Sequence, residues 1–476
     1  MFVLSYTVAF LGSKFVGLSS GYALDDYSVV SGDNPHGLAA FFLSQGRYTN
    51  AALDVLLRAS DLNMTNFSVL ALFASLIFSA LFYVSTFTPR PTQRPALVVA
   101  AAALLGAHSY YTEYVTFRQS ALPMSVMFAM LWIGVKQYRI AVLDGNKPVP
   151  RLLGALAAGI VAMGANQLAL CFAAIAVLYV HLAESASQTP YARLRSMMRA
   201  LALTAAAGAT LAAGNLLVAG AARSMADVPK DPRAALISAS KLQERSQQLA
   251  EFMPKLLFQA EPIASAPAKI LALLSVLLLL VPLSRRQLPD TCVALVFAVA
   301  ALAIALLPHM LSGTWWPVPR TLIAIPMVFA GIISLLSDRD RWRAGVSAGL
   351  AIGAAVLFCA HSNAVLLNQQ RVNRWDVAQA QAIANRAAEH FPDNKGKFAI
   401  VGGSWAYAVA PRAAQGDMNV SALSVGWAID PLFDEATGMN LQVRAAPDLA
   451  EACAGRRPFP SDDGMLAHGD EIIVCL

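Results

Sequence analysis

The sequence predicts a polytopic α-helical membrane protein with about eleven transmembrane helices and a small α/β domain at its carboxyl end. Three observations carry that reading. Of the 476 residues, 57% are hydrophobic and 13% are charged, against about 25% charged in a soluble domain. Apolar stretches recur at close to the length needed to cross about 30 Å of hydrocarbon. After residue 361 the chain turns to a mixture of polar helix, short apolar runs and glycine. The charge deficit excludes a cytosolic globular enzyme, a disordered chain and a nucleic-acid binder.

The apolar stretches fall at 2–18, 67–87, 96–111, 121–135, 152–165, 168–182, 200–221, 270–283, 291–307, 322–336 and 344–361. Several are short enough to require snorkelling or local thinning of the bilayer. With the amino terminus inside, the five inner connections carry fourteen Lys and Arg, Arg90, Lys136, Arg193, Arg285 and Arg339 among them, against five acids such as Asp144 and Asp290. Apart from the long loop after Ala221, the outer connections carry only Arg47, Arg58, Arg118 and Arg320. The positive-inside rule demands this asymmetry, so the net charge of +6 reads as topology and not as a basic patch. An odd number of crossings places the carboxyl-terminal segment outside. The first stretch lacks a basic leader, and no A-x-A-like site precedes Asp25, so it reads as an anchor and not as a cleaved signal peptide. Asp25 and Asp26 lie outside under either reading.

Two outer loops are amphipathic. Residues 37–57 place Leu38, Phe41, Phe42, Leu53 and Leu56 on one helical face, with Ser44, Arg47, Asp54 and Arg58 opposite, the pattern of a helix lying along the membrane surface. Residues 231–257 repeat the idea: Asp231-Pro232 is a helix-start signal, and Leu242, Leu249, Met253 and Leu256 follow at helical spacing. Both also fit a purely structural lid or collar. The transmembrane domain is thus expected over 1–361 and the outer α/β domain over 362–476. That outer domain reads as a polar helix at 370–391 and strands at 398–401, 440–444 and 471–476. Gly402-Gly403 after the first strand is a tight turn before it is a phosphate loop. Cys453 and Cys475 share this domain, where an oxidising compartment lets cysteines pair, although spacing alone does not give their geometry. Cys171, Cys292 and Cys359 sit in spans as packing residues.

The candidate chemistry begins at Tyr22-Ala23-Leu24-Asp25-Asp26-Tyr27, just beyond the first span. Two adjacent carboxylates at a membrane boundary repel one another and lose hydration, so one of them has a raised pKa, suited to general-base work. The alternative is a solvated acidic turn. Lys14 within the first span is either a functional charge or a snorkelling one. Glu113 and Arg118 share a short outer connection, as site residues or as a mutual salt bridge. His309, Trp315, Trp316 and Arg320 crowd a third outer loop, where tryptophans form an interfacial belt or a platform for a sugar. Arg47 lies in the first amphipathic segment. No HExxH, Walker or GxSxG motif is present, and no ligand set calls for a divalent ion, so no cofactor is expected. Acids with cations at one membrane level suit transfer of a sugar from a lipid phosphate. That leaving group needs a cation, best an Arg, and the acceptor hydroxyl needs a base.

The Tyr-x-x-Asp-Asp-Tyr element after a first span and the Gly46-Arg47 pair resemble the O-antigen serotype-converting glucosyltransferases of the GT-C superfamily. So do Asn368 through Arg371-x-x-Arg374-Trp375-Asp376 and the closing Phe459-Pro460-x-x-x-Gly464 with Asp470-Glu471-Ile472-Ile473-Val474. Phe459 stands where that family leads one to expect Trp. The resemblance implies a multi-pass protein of the bacterial inner membrane with a periplasmic carboxyl-terminal domain. It implies transfer of one hexose, glucose by analogy, from a polyprenyl-phosphate donor to a glycan acceptor, and it puts Asp25 and Asp26 in the acidic catalytic position. Lys14, Arg47, Glu113, Arg118, His309, Trp315 and Arg320 are the expected donor-phosphate or substrate-binding residues. Two other readings stand beside this one: a flippase or transporter of lipid-linked sugars, which would hold its ionisable residues near mid-bilayer, and an O-antigen polymerase or ligase, which joins whole glycans.

Overall fold

Each of the eleven apolar stretches overlaps a helix, and the described residues are mostly helical, with a small sheet near the carboxyl end. The structure, a computed structural model, describes residues 1–19, 21–30, 38–87, 93–143, 147–185, 190–231, 236–260, 265–393, 396–402 and 420–476. Arg90, Asp144, Pro232 and Gly403, named above, lie outside the described residues. Among the described residues, five helices are long and apolar enough to cross a membrane: Met64–Thr86, Pro148–Ala165, Ala192–Met225, Leu288–Leu311 and Arg341–His390. Others among the eleven are shorter. Ile325–Leu335 has 11 residues, about 16 Å of helix, which is why the count of eleven crossings goes beyond what length and composition establish. The architecture is that of a polytopic helical membrane protein with a small carboxyl-terminal sheet.

The chain divides into two units. The first comprises Met1–Phe15, His36–Val115 and Ser120–Asn363; the second comprises Val16–Pro35, Thr116–Gln119 and Ala364–Leu476. In the first unit, helix Phe2–Lys14 packs on helix Pro95–Ala107 at Gly106, where a Cβ would stand 2.6 Å from the Tyr6 carbonyl oxygen. Only a glycine permits that approach. The amphipathic segment expected over 37–57 forms two helices, Ala39–Ser44 and Tyr48–Arg58, because Gly46 turns the chain at φ 78°. Phe42, Ala51 and Asp54 are buried, while Phe41, Val55 and Leu56 are exposed. The second amphipathic segment is a helix over Leu242–Leu257, not from 231, because Leu236 first pairs with Ser312 in an isolated bridge.

In the second unit, strands β1 (Lys397–Val401), β2 (Gln442–Ala445), β3 (Met465–His468) and β4 (Glu471–Cys475) form a sheet of order β2-β1-β4-β3. β1 runs parallel to β2 and β4, and β3 is an antiparallel edge. Alternation along the strands sends Phe398, Ile400, Val443, Ile472 and Val474 into one core with Leu24, Tyr27, Ile383 and Phe433. Ala399, Val401, Ile473 and Cys475 face a second, smaller core with Leu449 and Cys453. Cys453 and Cys475 form a disulfide, their Cα atoms 5.5 Å apart. The polar helix expected over 370–391 is the continuation of the last apolar one, a single helix of 50 residues, since no glycine or proline interrupts 354–390.

Candidate functional site

Within the second unit, the acid pair opens the short helix Leu24–Val30. The Asp26 side chain is fully buried. Its Oδ2 accepts the Ala23 N–H at 2.9 Å and the Arg118 N–H at 3.0 Å, and its Oδ1 accepts the Gln119 N–H at 2.9 Å. Arg118 and Gln119 open helix Arg118–Leu143, so this carboxylate satisfies donors that a helix start leaves without partners. Burial pushes the Asp26 carboxyl up to about 6; the three backbone bonds pull against that rise, and the charge of Asp25 adds only the last, smallest upward contribution. The raised pKa anticipated from the sequence is present, but lost hydration and not mutual repulsion is its main cause. Asp25 remains partly exposed.

The same unit braces this element from the long helix. Asn373 Nδ2 donates to the Tyr22 carbonyl at 3.1 Å and to the Tyr27 hydroxyl at 2.8 Å, while its Oδ1 accepts the Tyr22 N–H at 3.2 Å. Gln369 donates to the same Tyr22 carbonyl. Gly21 gives Asn373 its room, because a Cβ there would overlap the Asn373 side chain. The Arg118 guanidinium lies 5.0 Å from the centre of the Tyr22 ring, a cation–π contact. One turn along, Asp376 accepts from the Ser421 hydroxyl at 2.5 Å and the Ala422 N–H at 2.7 Å. Burial pushes its carboxyl up to about 7.

Within the first unit, Glu113, Arg320 and Arg47 gather around Tyr114. Glu113 Oε2 accepts the Arg320 N–H at 3.1 Å and lies 3.5 Å from its Nη1, both side chains being largely buried. The Arg320 guanidinium stacks 4.4 Å from the centre of the Trp316 ring. The Tyr114 hydroxyl accepts from Asn166 Nδ2 at 2.7 Å. Burial pushes that hydroxyl up, and Asn166 with the positive charges of Arg47 and Arg320 pulls it back. A tyrosine hydroxyl and two guanidinium groups suit an anionic or hydroxyl-bearing ligand.

No protein family, curated protein or solved structure matches this chain. The resemblance drawn from the motifs therefore rests on those motifs alone.

His309 and Trp315, also in the first unit, form a separate group with Arg245 of helix Leu242–Leu257. The Arg245 guanidinium lies 5.3 Å from the centre of the Trp315 ring, and His309 meets that ring edge-on at 6.1 Å. Lys14 stands apart from all of these. Its side chain is fully buried, and its ammonium donates to Ser13 Oγ at 2.8 Å, to the Gly106 carbonyl at 3.1 Å and to the His108 carbonyl at 3.1 Å. An ammonium has three donors; two here hold the carboxyl end of helix Pro95–Ala107 and the third holds Ser13 of its own helix. In this structure Lys14 anchors Ser13, Gly106 and His108.

The sequence reading missed Gln369 and Asn373 as braces, Tyr114 as a meeting point and Arg245 as a buried charge. A signal existed for the first two: Gln369, Asn373 and Asp376 recur at i, i+4 and i+7, one polar stripe on a helix. For Arg245 none existed, since a charged residue on an amphipathic helix reads as solvated.

Proposed function

We propose that the chain is a membrane glycosyltransferase that moves a single hexose from a polyprenyl-phosphate donor to a glycan acceptor, at the periplasmic face of a bacterial inner membrane that it crosses about eleven times. The observation that carries this reading is the division of labour in the acid pair: Asp26 is buried and locked by three backbone N–H groups, and its neighbour Asp25 is left partly exposed. A fixed acid beside an accessible one is what a positioned general base requires. The inner-loop cations of the sequence support the orientation, and the Cys453–Cys475 disulfide supports an oxidising compartment for the carboxyl-terminal sheet.

In this reading the acceptor hydroxyl gives its proton to Asp25 as its oxygen attacks the anomeric carbon. The bond from that carbon to the phosphate oxygen breaks, the lipid phosphate leaves with the electron pair, and the anomeric configuration inverts. Asp26 is a positioning residue. Arg118, on Tyr22 in the same unit as Asp25, supplies positive charge for the leaving phosphate.

The test is the mass of the surface polysaccharide made by cells with the chain, without it, and with Asp25→Asn. One additional hexose per repeat, lost in Asp25→Asn by about 100-fold or more while the protein still inserts, is the expected result. Longer glycans would point instead to a polymerase or ligase. Movement of a lipid-linked sugar between leaflets, with no glycosidic bond formed, would point to a flippase.

A further inference from the structure

We infer that Arg245 of helix Leu242–Leu257, His309 and Trp315 form a subsite for a neutral pyranose ring of the glycan. The inference deepens the glycosyltransferase reading and rests on it for the identity of the ligand. Arg245 is 4% exposed and His309 5%. Arg245 spends its terminal nitrogens on its surroundings: Nη1 donates to Gln248 Oε1 at 2.8 Å, and Nη2 to the Ser312 carbonyl at 2.9 Å and the Gly313 carbonyl at 3.4 Å. Its Nε and the Nε2 of His309 are buried and have no hydrogen-bond partner among the described residues. Leaving such an atom unsatisfied costs about 1–3 kcal/mol, so two of them on residues touching one indole call for a third party.

The chemistry of that third party follows from the two atoms. Arg245 Nε–H can only donate. The His309 ring bonds the Thr321 main chain; with Nδ1–H given to that carbonyl, Nε2 presents a lone pair and accepts. A donor and an acceptor together match a hydroxyl group, which accepts from one and donates to the other. Both side chains meet the Trp315 ring, which also meets Phe252 edge-on at 5.9 Å. An indole beside a hydroxyl-binding pair suits the C–H face of a sugar ring, whereas a phosphate would leave the acceptor facing another acceptor. Trp315 keeps partial exposure, and Gly313 and Thr314 beside it are exposed, which gives a ligand its approach.

The experiment is saturation-transfer NMR of methyl glucoside and of maltotetraose, at millimolar concentration, against the full-length chain in detergent micelles. Transfer to the ring C–H protons is expected. It should fall at least 5-fold in Trp315→Leu and in His309→Phe, and at least 3-fold in Arg245→Lys, which keeps the charge but lacks the Nε–H. Variants count only where they elute as monodisperse protein, and Arg245→Lys is the one that disturbs packing least. Asp25→Asn should retain the transfer signal while losing sugar transfer in cells, so a failure of the catalytic reading leaves the subsite standing and the reverse also holds. No saturation transfer to either sugar would mean that water alone completes the pair and would overturn the inference, as would a signal indifferent to all three substitutions.

Discussion

The two units bury charge by the same means, main-chain partners, but the first does so with cations as well as the acids Asp54 and Glu113, and the second, among the described residues, with acids alone. In the first, buried cations end on main-chain carbonyls at the carboxyl ends of helices. Lys14 holds Gly106 and His108 after helix Pro95–Ala107, Arg245 holds Ser312 after helix Leu288–Leu311, and Arg339 and Arg343 hold Leu279 and Val281 at the end of helix Ala266–Leu280. In the second, buried acids end on main-chain N–H groups: Asp26 on Ala23, Arg118 and Gln119, and Asp376 on Ala422. Both arrangements complement the partial charges at helix and turn ends. The difference lies in what they permit. A saturated cation is a fastener, whereas a buried carboxyl whose pKa has been raised toward neutrality can exchange a proton at working pH.

The sharpest way to break that contrast is at Asp26. Asp26→Ala leaves three buried N–H groups without an acceptor, at about 1–3 kcal/mol each. Asp26→Asn retains one acceptor oxygen but turns an NH₂ group toward a donor. Thermal unfolding of the full chain in detergent should order wild type above Asn above Ala. If Asp26→Ala were as stable as wild type yet inactive, the carboxylate would be touching substrate and the positioning role would be wrong.

The counterpart in the first unit is Lys14→Met, which keeps the length of the side chain and removes all three donors. We expect about 1–3 kcal/mol of destabilisation, read as a lower unfolding temperature, with sugar transfer falling only as folded protein falls. Lost transfer in a protein of wild-type stability would place Lys14 in the phosphate-binding group.

That test also shows where sequence reading ran out. Hydrophobic runs and loop charge made the helical membrane class legible, because burying apolar residues in lipid leaves a compositional trace. The acid pair was legible too, since two carboxylates beside a span are costly wherever they point. Their unequal fates were not: Asp26 is buried because Arg118 and Gln119, more than ninety residues away in sequence, bring their N–H groups to it. Lys14 and Arg245 escaped for the same reason, their partners being main-chain carbonyls that no side-chain pattern announces. The break at Gly46 was visible as a glycine within an amphipathic run, and periodicity alone passed over it. The edge strand β3 was missed, its four residues being too short for an alternation to register.

A third way to test the contrast is the response of the second unit to pH. Burial raises Asp26 to about 6 and Asp376 to about 7, from about 3.9 in an unfolded chain. Between those limits the folded state holds more protons than the unfolded one, so stability falls as pH rises. The contribution is complete below about pH 4 and is lost by the time the pH has passed about 7. Hydrogen exchange of the amides in 420–476, followed from pH 4.5 to 7.5 and corrected for intrinsic rates, should show protection declining across that window. Asp376→Asn should flatten the upper part of the decline and Asp26→Asn the lower part. Protection that rose with pH instead would mean that these carboxylates are held ionised by their N–H partners, and the acids of the second unit would then be fasteners like the cations of the first.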